Sequence, residues 1–201
     1  MSLWSTSPAR TLGRLVALAA LATSLAAIRP ASALDNGFPP TLTVEGKSLK
    51  RIGTGLREFL FFDIYRLGAY SESGNCSPSS IVSANETKYL QLKMLREIPK
   101  DRMVSTLRSS LEDNLPPNPS AELREQVKAF LGKFSGDVPE GARVEIIYAP
   151  GKGTILRQSG RELGAATPGK PFADVVWRAY FGAKSCCSDL KKDVIKECRG
   201  G

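Results

Sequence analysis

The chain predicts an α+β domain, an antiparallel sheet with helices packed on one of its faces. Three observations point there. Alternating apolar segments come first, two amphipathic helical segments follow, and a run of short segments joined by tight turns precedes two more helices. No repeat and no linker long enough for a second domain interrupts this order, and 42% hydrophobic content is enough for one ordinary core.

From 41 to 70 the chain reads as strand. Leu42 and Val44 alternate with threonines, Gly46-Lys47-Ser48 makes a turn, and a long aromatic strand runs from Phe59 to Tyr70. Residues 71–80, rich in serine, glycine and asparagine, read as a loop. Lys88 to Leu95 alternates again, with Leu90, Leu92 and Met94 expected to face inward. Met103, Val104, Leu107, Leu111 and Leu115 share one helical face. Leu123, Val127, Phe130, Leu131 and Phe134 share another, behind Ser120 as N-cap after the Pro116-Pro117-Asn118-Pro119 break. Residues 142–149, 154–158 and 162–165 predict a three-stranded meander with turns at Pro150-Gly151-Lys152-Gly153 and Ser159-Gly160. Pro171 opens a helix over Phe172 to Phe181 that Gly182 closes, and Ser188 caps the last helix.

The first 33 residues read as a cleaved leader. Arg10 and Arg14 supply a basic start, Leu15 to Ala27 an apolar stretch, and Ala31-Ser32-Ala33 a small-residue cleavage pattern, so the mature chain is expected to begin at Leu34. Arg29 and Pro30 interrupt the apolar run before it reaches the length of about 20 residues that spans a bilayer. No stable membrane span is expected after cleavage. The expected location is a bacterial periplasm or the extracellular space, with an organelle lumen for a eukaryotic source. In that setting Asn85-Glu86-Thr87 would be a glycosylation sequon.

Net charge is +8, and three of the arginines lie in the leader, leaving the rest close to +5. Its cations are scattered among acids, as in Lys100-Asp101-Arg102 and Glu122-Leu123-Arg124-Glu125, which is a solvated surface and excludes nucleic acid as an expected partner. Histidine is absent, which removes Ser-His-Asp and Cys-His catalysis and the commonest metal ligand. The four cysteines, Cys76, Cys186, Cys187 and Cys198, form no Cys-x-x-Cys pattern, so neither a metal nor a cofactor is expected. A bond between the adjacent Cys186 and Cys187 would be strained, and a helix between Cys187 and Cys198 would hold those ends about 16 Å apart, beyond disulfide reach. At most one disulfide is therefore expected, from Cys76 to one of the other three. Gly151-Lys152-Gly153-Thr154 is not a phosphate loop, because Ile146 stands where that pattern needs glycine and strand residues follow.

Gly53-Thr54-Gly55-Leu56-Arg57 carries the chemistry. It sets one cation at the mouth of the aromatic strand, which suits a small apolar ligand with an anionic or enolic head. A buried guanidinium is tolerable only when an oxygen ligand completes its hydrogen bonds. The competing account is a turn followed by a solvated arginine.

The order and spacing of several pieces decide for a site. Phe38-Pro39-Pro40, Leu42-Thr43-Val44-Glu45-Gly46-Lys47, Gly53 to Arg57, Ile64 to Tyr70, Val144 to Tyr148, Gly160 to Gly164, Phe172 to Gly182 and Ser188-Asp189-Leu190-Lys191 together resemble the chalcone isomerase-like family. The resemblance covers nearly everything after residue 37. It implies an open-faced β-sandwich and a ligand cleft. Arg57 matches the cleft arginine that holds the phenolate or enolate in the isomerases and the carboxylate in the fatty-acid binders. Tyr65 matches a second cleft position, and Ala179 and Tyr180 match the helix that closes the cleft.

Two departures bear on activity. Pro99-Lys100-Asp101-Arg102-Met103 carries no aromatic residue where the isomerases have a tyrosine, and Ala179 stands where they have a threonine. Each missing donor to a developing oxyanion is worth about 10²-fold or more in rate. The expected function is therefore an exported protein that holds a small apolar carboxylate such as a fatty acid, without efficient chalcone cyclisation. The alternatives are an isomerase closing a ring on an unsaturated phenolic or carbonyl substrate through Arg57, and a non-catalytic envelope scaffold. On one flat strand Arg57 and Tyr65 would lie about 26 Å apart, so they meet one ligand head only if the chain turns between them. Trp177, Phe181 and Tyr148 are expected in the core, and Asp101, Glu112 and Asp113 in solvent.

Overall fold

The computed structural model describes residues 37–200; the leader and its cleavage site lie outside the described residues. The strands are β1 (Thr41–Val44), β2 (Lys47–Phe59), β3 (Phe62–Ser71), β4 (Lys88–Met94), β5 (Arg143–Ala149), β6 (Gly153–Gln158) and β7 (Arg161–Glu162). They form one sheet in sequence order, every pair antiparallel. Five helices are described: α1 (Pro78–Ser83), α2 (Lys100–Glu112), α3 (Ala121–Leu131), α4 (Lys170–Phe181) and α5 (Ser188–Gly200). The α+β architecture read from the sequence is the one observed.

Alternation sorts the sheet into two faces. Leu67, Ala69, Leu90, Leu92, Met94, Val144, Ile146 and Leu156 form one, covered by the apolar sides of α2, α3, α4 and α5. Trp177 and Phe181 lie in that core, and Asp101, Glu112 and Asp113 are exposed. Phe38, Leu49, Tyr70, Tyr89, Ile147 and Ile155 form a smaller cluster on the opposite face, with Leu42 and Val44 of β1 against it. Strands five positions apart in order, β1 and β6, share that cluster, so the sheet curls toward a half-barrel. Glu45, in the β1–β2 turn, closes the curl with ion pairs to Lys152 at 2.8 Å and Arg157 at 2.7 Å. Hydrogen bonds from those two cations hold the Glu45 carboxyl below its usual range.

The structure corrects four local readings. The aromatic strand is two strands: β2 ends at Phe59, Leu60-Phe61 turns the chain, and β3 begins at Phe62. No Gly, Pro, Asn or Asp marks that turn, and Leu60 itself takes the left-handed conformation, φ 57°. Residues 78–80 of the expected loop belong to α1, which continues to Ser83. The third meander strand is only Arg161–Glu162, because the chain then leaves the sheet and returns as a bridge from Thr167 to Thr154. Ser188 is the first residue of α5; Cys187 precedes it and its carbonyl accepts from Lys191 N at 2.9 Å.

The edge of the sheet is finished by α5. β1 pairs only with Lys47–Lys50, so among the described residues the rest of β2 has no strand beyond it. Glu197 accepts from Thr54 N at 2.8 Å and Thr54 Oγ1 at 2.7 Å and pairs with Arg51 Nε at 3.1 Å, sealing that edge. Gly53 and Gly55 lack side chains because the α5 backbone rests on them. A Cβ on Gly55 would lie 2.9 Å from Leu190 O, and one on Gly53 would overlap Val194 O. Cys76 is joined to Cys198, tying the start of α1 to the end of α5 with Cα atoms 5.6 Å apart.

Candidate functional site

The turn at Leu60-Phe61 makes Arg57 and Tyr65 direct cross-strand partners in the β2–β3 ladder. Opposed residues have Cβ atoms about 5 Å apart, so the eight-residue separation that would part them on one strand instead brings them side by side. They lie on the helix-covered face, since Gly55 pairs with Leu67 and Gly53 with Ala69 in the same alternation. Close seating of α5 on the two glycines then carries the start of that helix over the pair.

Four further groups meet there. The Tyr65 hydroxyl reaches Cys187 Sγ at 3.7 Å and also bonds the Tyr180 hydroxyl from α4. The Cys186 thiol bonds Cys187, and Ser110 of α2 reaches Cys186. Arg57 is half-buried and makes no hydrogen bond or salt bridge among the described residues, yet its charge acts on Tyr180, Cys186 and Cys187. Three of the four residues read from the sequence are thus brought together. Ala179, the fourth, is fully buried in the core, and its carbonyl accepts from Cys186 N at 2.8 Å. It positions the thiol pair through its backbone.

The electrostatics follow from burial beside one cation. Burial pushes both the Tyr65 and Tyr180 phenols well above their usual range, so each is a hydrogen-bond donor and neither is a base at neutral pH. The two thiols split. The bond from Cys186 draws Cys187 down to about 7 against the effect of burial, with Arg57 and Tyr65 helping, while the same bond and burial push Cys186 up. The arrangement is a half-buried guanidinium, two phenolic donors and one activated thiol. It can take an anionic or strongly polarised oxygen.

Cys186, Cys187 and Ser110 were not singled out in the sequence as site residues. One signal was present: adjacent thiols directly before Ser188-Asp189-Leu190 stand at a helix start, where a thiolate is favoured. Lys88 is a second cation on the helix-covered face and is not part of the site. It is fully buried, donates to Ile81 O at 3.1 Å and Val82 O at 2.9 Å, and stands 4.9 Å from the centre of the Trp177 ring. The Gly151-Lys152 turn is a hairpin, with Lys152 committed to Glu45. Asn85 of the sequon accepts from the Tyr148 hydroxyl at 2.6 Å.

The family model for chalcone isomerase-like proteins matches residues 32–195. The chain belongs to the chalcone isomerase-like family. A comparison with curated protein sequences finds no match. Among solved structures the chain is similar to a fatty-acid binding protein from Arabidopsis thaliana, with a TM-score of 0.62 and 14% identity over 80% of this chain and 92% of that one. That likeness shows the fold. Within the family, the edge that α5 seals and the β2–β3 ladder beneath it carry this chain's candidate cleft.

Proposed function

We propose that this chain binds a small apolar molecule with a carboxylate head, such as a fatty acid, with Arg57 as the anion anchor and Tyr65 and Tyr180 as neutral donors beside it. One observation carries the reading: a half-buried guanidinium without a protein acceptor stands next to two phenols that burial keeps protonated. A carboxylate completes the guanidinium's hydrogen bonds in the bidentate geometry it favours and accepts from the phenols as well. The fatty-acid-binding neighbour supports the same ligand class. Efficient ring closure is disfavoured by the same geometry, since Ala179 offers no hydroxyl and residues 99–103 no phenol. Export belongs to this proposal, and the Cys76–Cys198 disulfide supports it, because such bonds persist in oxidising compartments.

Native mass spectrometry of the purified wild type and of Arg57→Ala tests the reading. A fatty-acid-sized adduct in the wild type that disappears in the variant is the expected result. No adduct in either protein, even after fatty acid is added, would overturn it.

A further inference from the structure

The end of the β2–β3 hairpin is the one part of the described surface that is persistently apolar. Phe59, Leu60, Phe61 and Phe62 are 55%, 75%, 97% and 50% exposed, and no other large hydrophobic residue among those described is exposed. Four such residues in a row on a projecting turn are not the scattered apolar surface of an ordinary soluble domain. The turn also keeps Leu60 at a φ of 57°, where glycine or asparagine would sit without strain, so local backbone preference does not account for the side chain.

A second feature stands at the same end of the sheet. Arg66 on β3 pairs with Lys93 on β4, and Lys93 with Arg143 on β5, so three cations form a row across three adjacent strands. Like charges directly opposed on a sheet repel, and none of the three makes a salt bridge among the described residues. Arg96 adds a fourth cation, its guanidinium 4.4 Å from the centre of the Phe62 ring. The acids nearby are Glu58 and Asp63, which oppose each other at the base of the turn, Glu97 after β4, Asp193 of α5, which lines a shared hollow with Arg66, and Glu145, two residues from Arg143 and bonded to the Tyr89 hydroxyl.

We propose that the Phe59–Phe62 turn, backed by the Arg66–Lys93–Arg143 row, docks this protein on an anionic lipid bilayer. The geometry matches the layers of a membrane surface. Arg66 lies four positions along the strand from Phe62, about 13 Å. A tip that enters the acyl boundary by about 5–10 Å therefore leaves the cations at headgroup depth. Aromatic side chains are favoured at that boundary, and basic residues next to it gain from anionic headgroups. A protein partner fits less well, because the end of one hairpin offers far less than the roughly 800 Å² per side that a stable interface buries. Arg57 lies two residues from Phe59 and Tyr65 three from Phe62, so docking brings the candidate cleft to the lipid surface. The docking itself does not depend on what the cleft holds.

The test places an indole at the tip with Phe61→Trp in the full chain and follows emission as the difference from wild type, which cancels the other tryptophans. With vesicles of phosphatidylglycerol and phosphatidylcholine the introduced indole should shift to the blue. The shift should fall by half or more when Arg66→Glu, Lys93→Glu and Arg143→Glu are added. Lys93→Glu alone, at an exposed position, serves if the triple variant does not fold. An unshifted indole on these vesicles would overturn the proposal, whether or not the protein sediments with them, since any attachment would then run through another segment. A shift that grows with protein concentration in the absence of vesicles would overturn it in favour of self-association. A shift indifferent to the charge reversals would remove the basic row and with it the proposal.

Discussion

Two cations, one fully and one half buried, occupy opposite ends of the same helix-covered face, and only one of them makes a site. Lys88, beside Ser71 and Tyr148 in the ladder, is fully buried with acceptors supplied by the chain itself, the carbonyls of Ile81 and Val82, and aromatic rings around it. Arg57, beside Tyr65 at the other end, is only half-buried and has donors and thiols around it but no acceptor. A structural charge is thereby told apart from a functional one. Burial alone does not decide; what decides is whether the fold completes the charged group's hydrogen bonds or leaves them to something else.

The contrast can be broken most directly at Lys88. Lys88→Ala should cost about 3 kcal/mol in urea unfolding, from a cavity and two buried carbonyls left without donors; a cost under about 1 kcal/mol would erase the structural role given to it. A pH series sharpens the same point. Burial draws the Lys88 amine down to about 8 in the fold from 10.5, so between those values the unfolded chain binds more protons than the folded one. Wild-type stability should therefore rise with pH across that window relative to Lys88→Met, by up to about 3 kcal/mol, and a flat difference would contradict it.

At the other end, Gly55→Ala should push the start of α5 off β2 and cost about 1–3 kcal/mol, because the new Cβ meets the Leu190 backbone. The same displacement should separate Cys187 from Arg57. Thiolate absorbance in the ultraviolet reads that separation. In the wild type Cys187 should titrate near 7, and Arg57→Ala or Cys186→Ala should move the midpoint upward, the second by more. An unchanged midpoint in Arg57→Ala would mean that the cation does not face the thiol. Smallest of all, Arg57→Ala should alter folding stability by less than about 1 kcal/mol, since no protein acceptor is lost with it. A larger loss would class Arg57 with Lys88.

The cysteines show how far local reasoning reached. The length of α5 separates Cys187 from Cys198 and a bond between the adjacent Cys186 and Cys187 would be strained; together these limited the chain to one disulfide, which joins Cys76 to Cys198. The choice of Cys198 over its two rivals depends on where α5 lies, and α5 lies where Gly53 and Gly55 admit its backbone. Read locally, those glycines suggested a turn. In the fold they are strand residues beneath a helix.

Periodicity and turn residues were sufficient for the order of strands and helices, their inward faces and the antiparallel meander, because each of these depends on neighbours within a few positions. The hairpin at Leu60-Phe61 was not legible. Its turn contains none of the residues that make turns cheap, and it exists because β2 and β3 gain a long ladder by folding back there. That one reversal brought Arg57 opposite Tyr65, exposed the aromatic tip and gave α5 a surface to seal. Which side chains were available for a site was already set by residue identity. Their meeting was decided by pairing and packing between segments far apart in the chain, which local propensity does not encode.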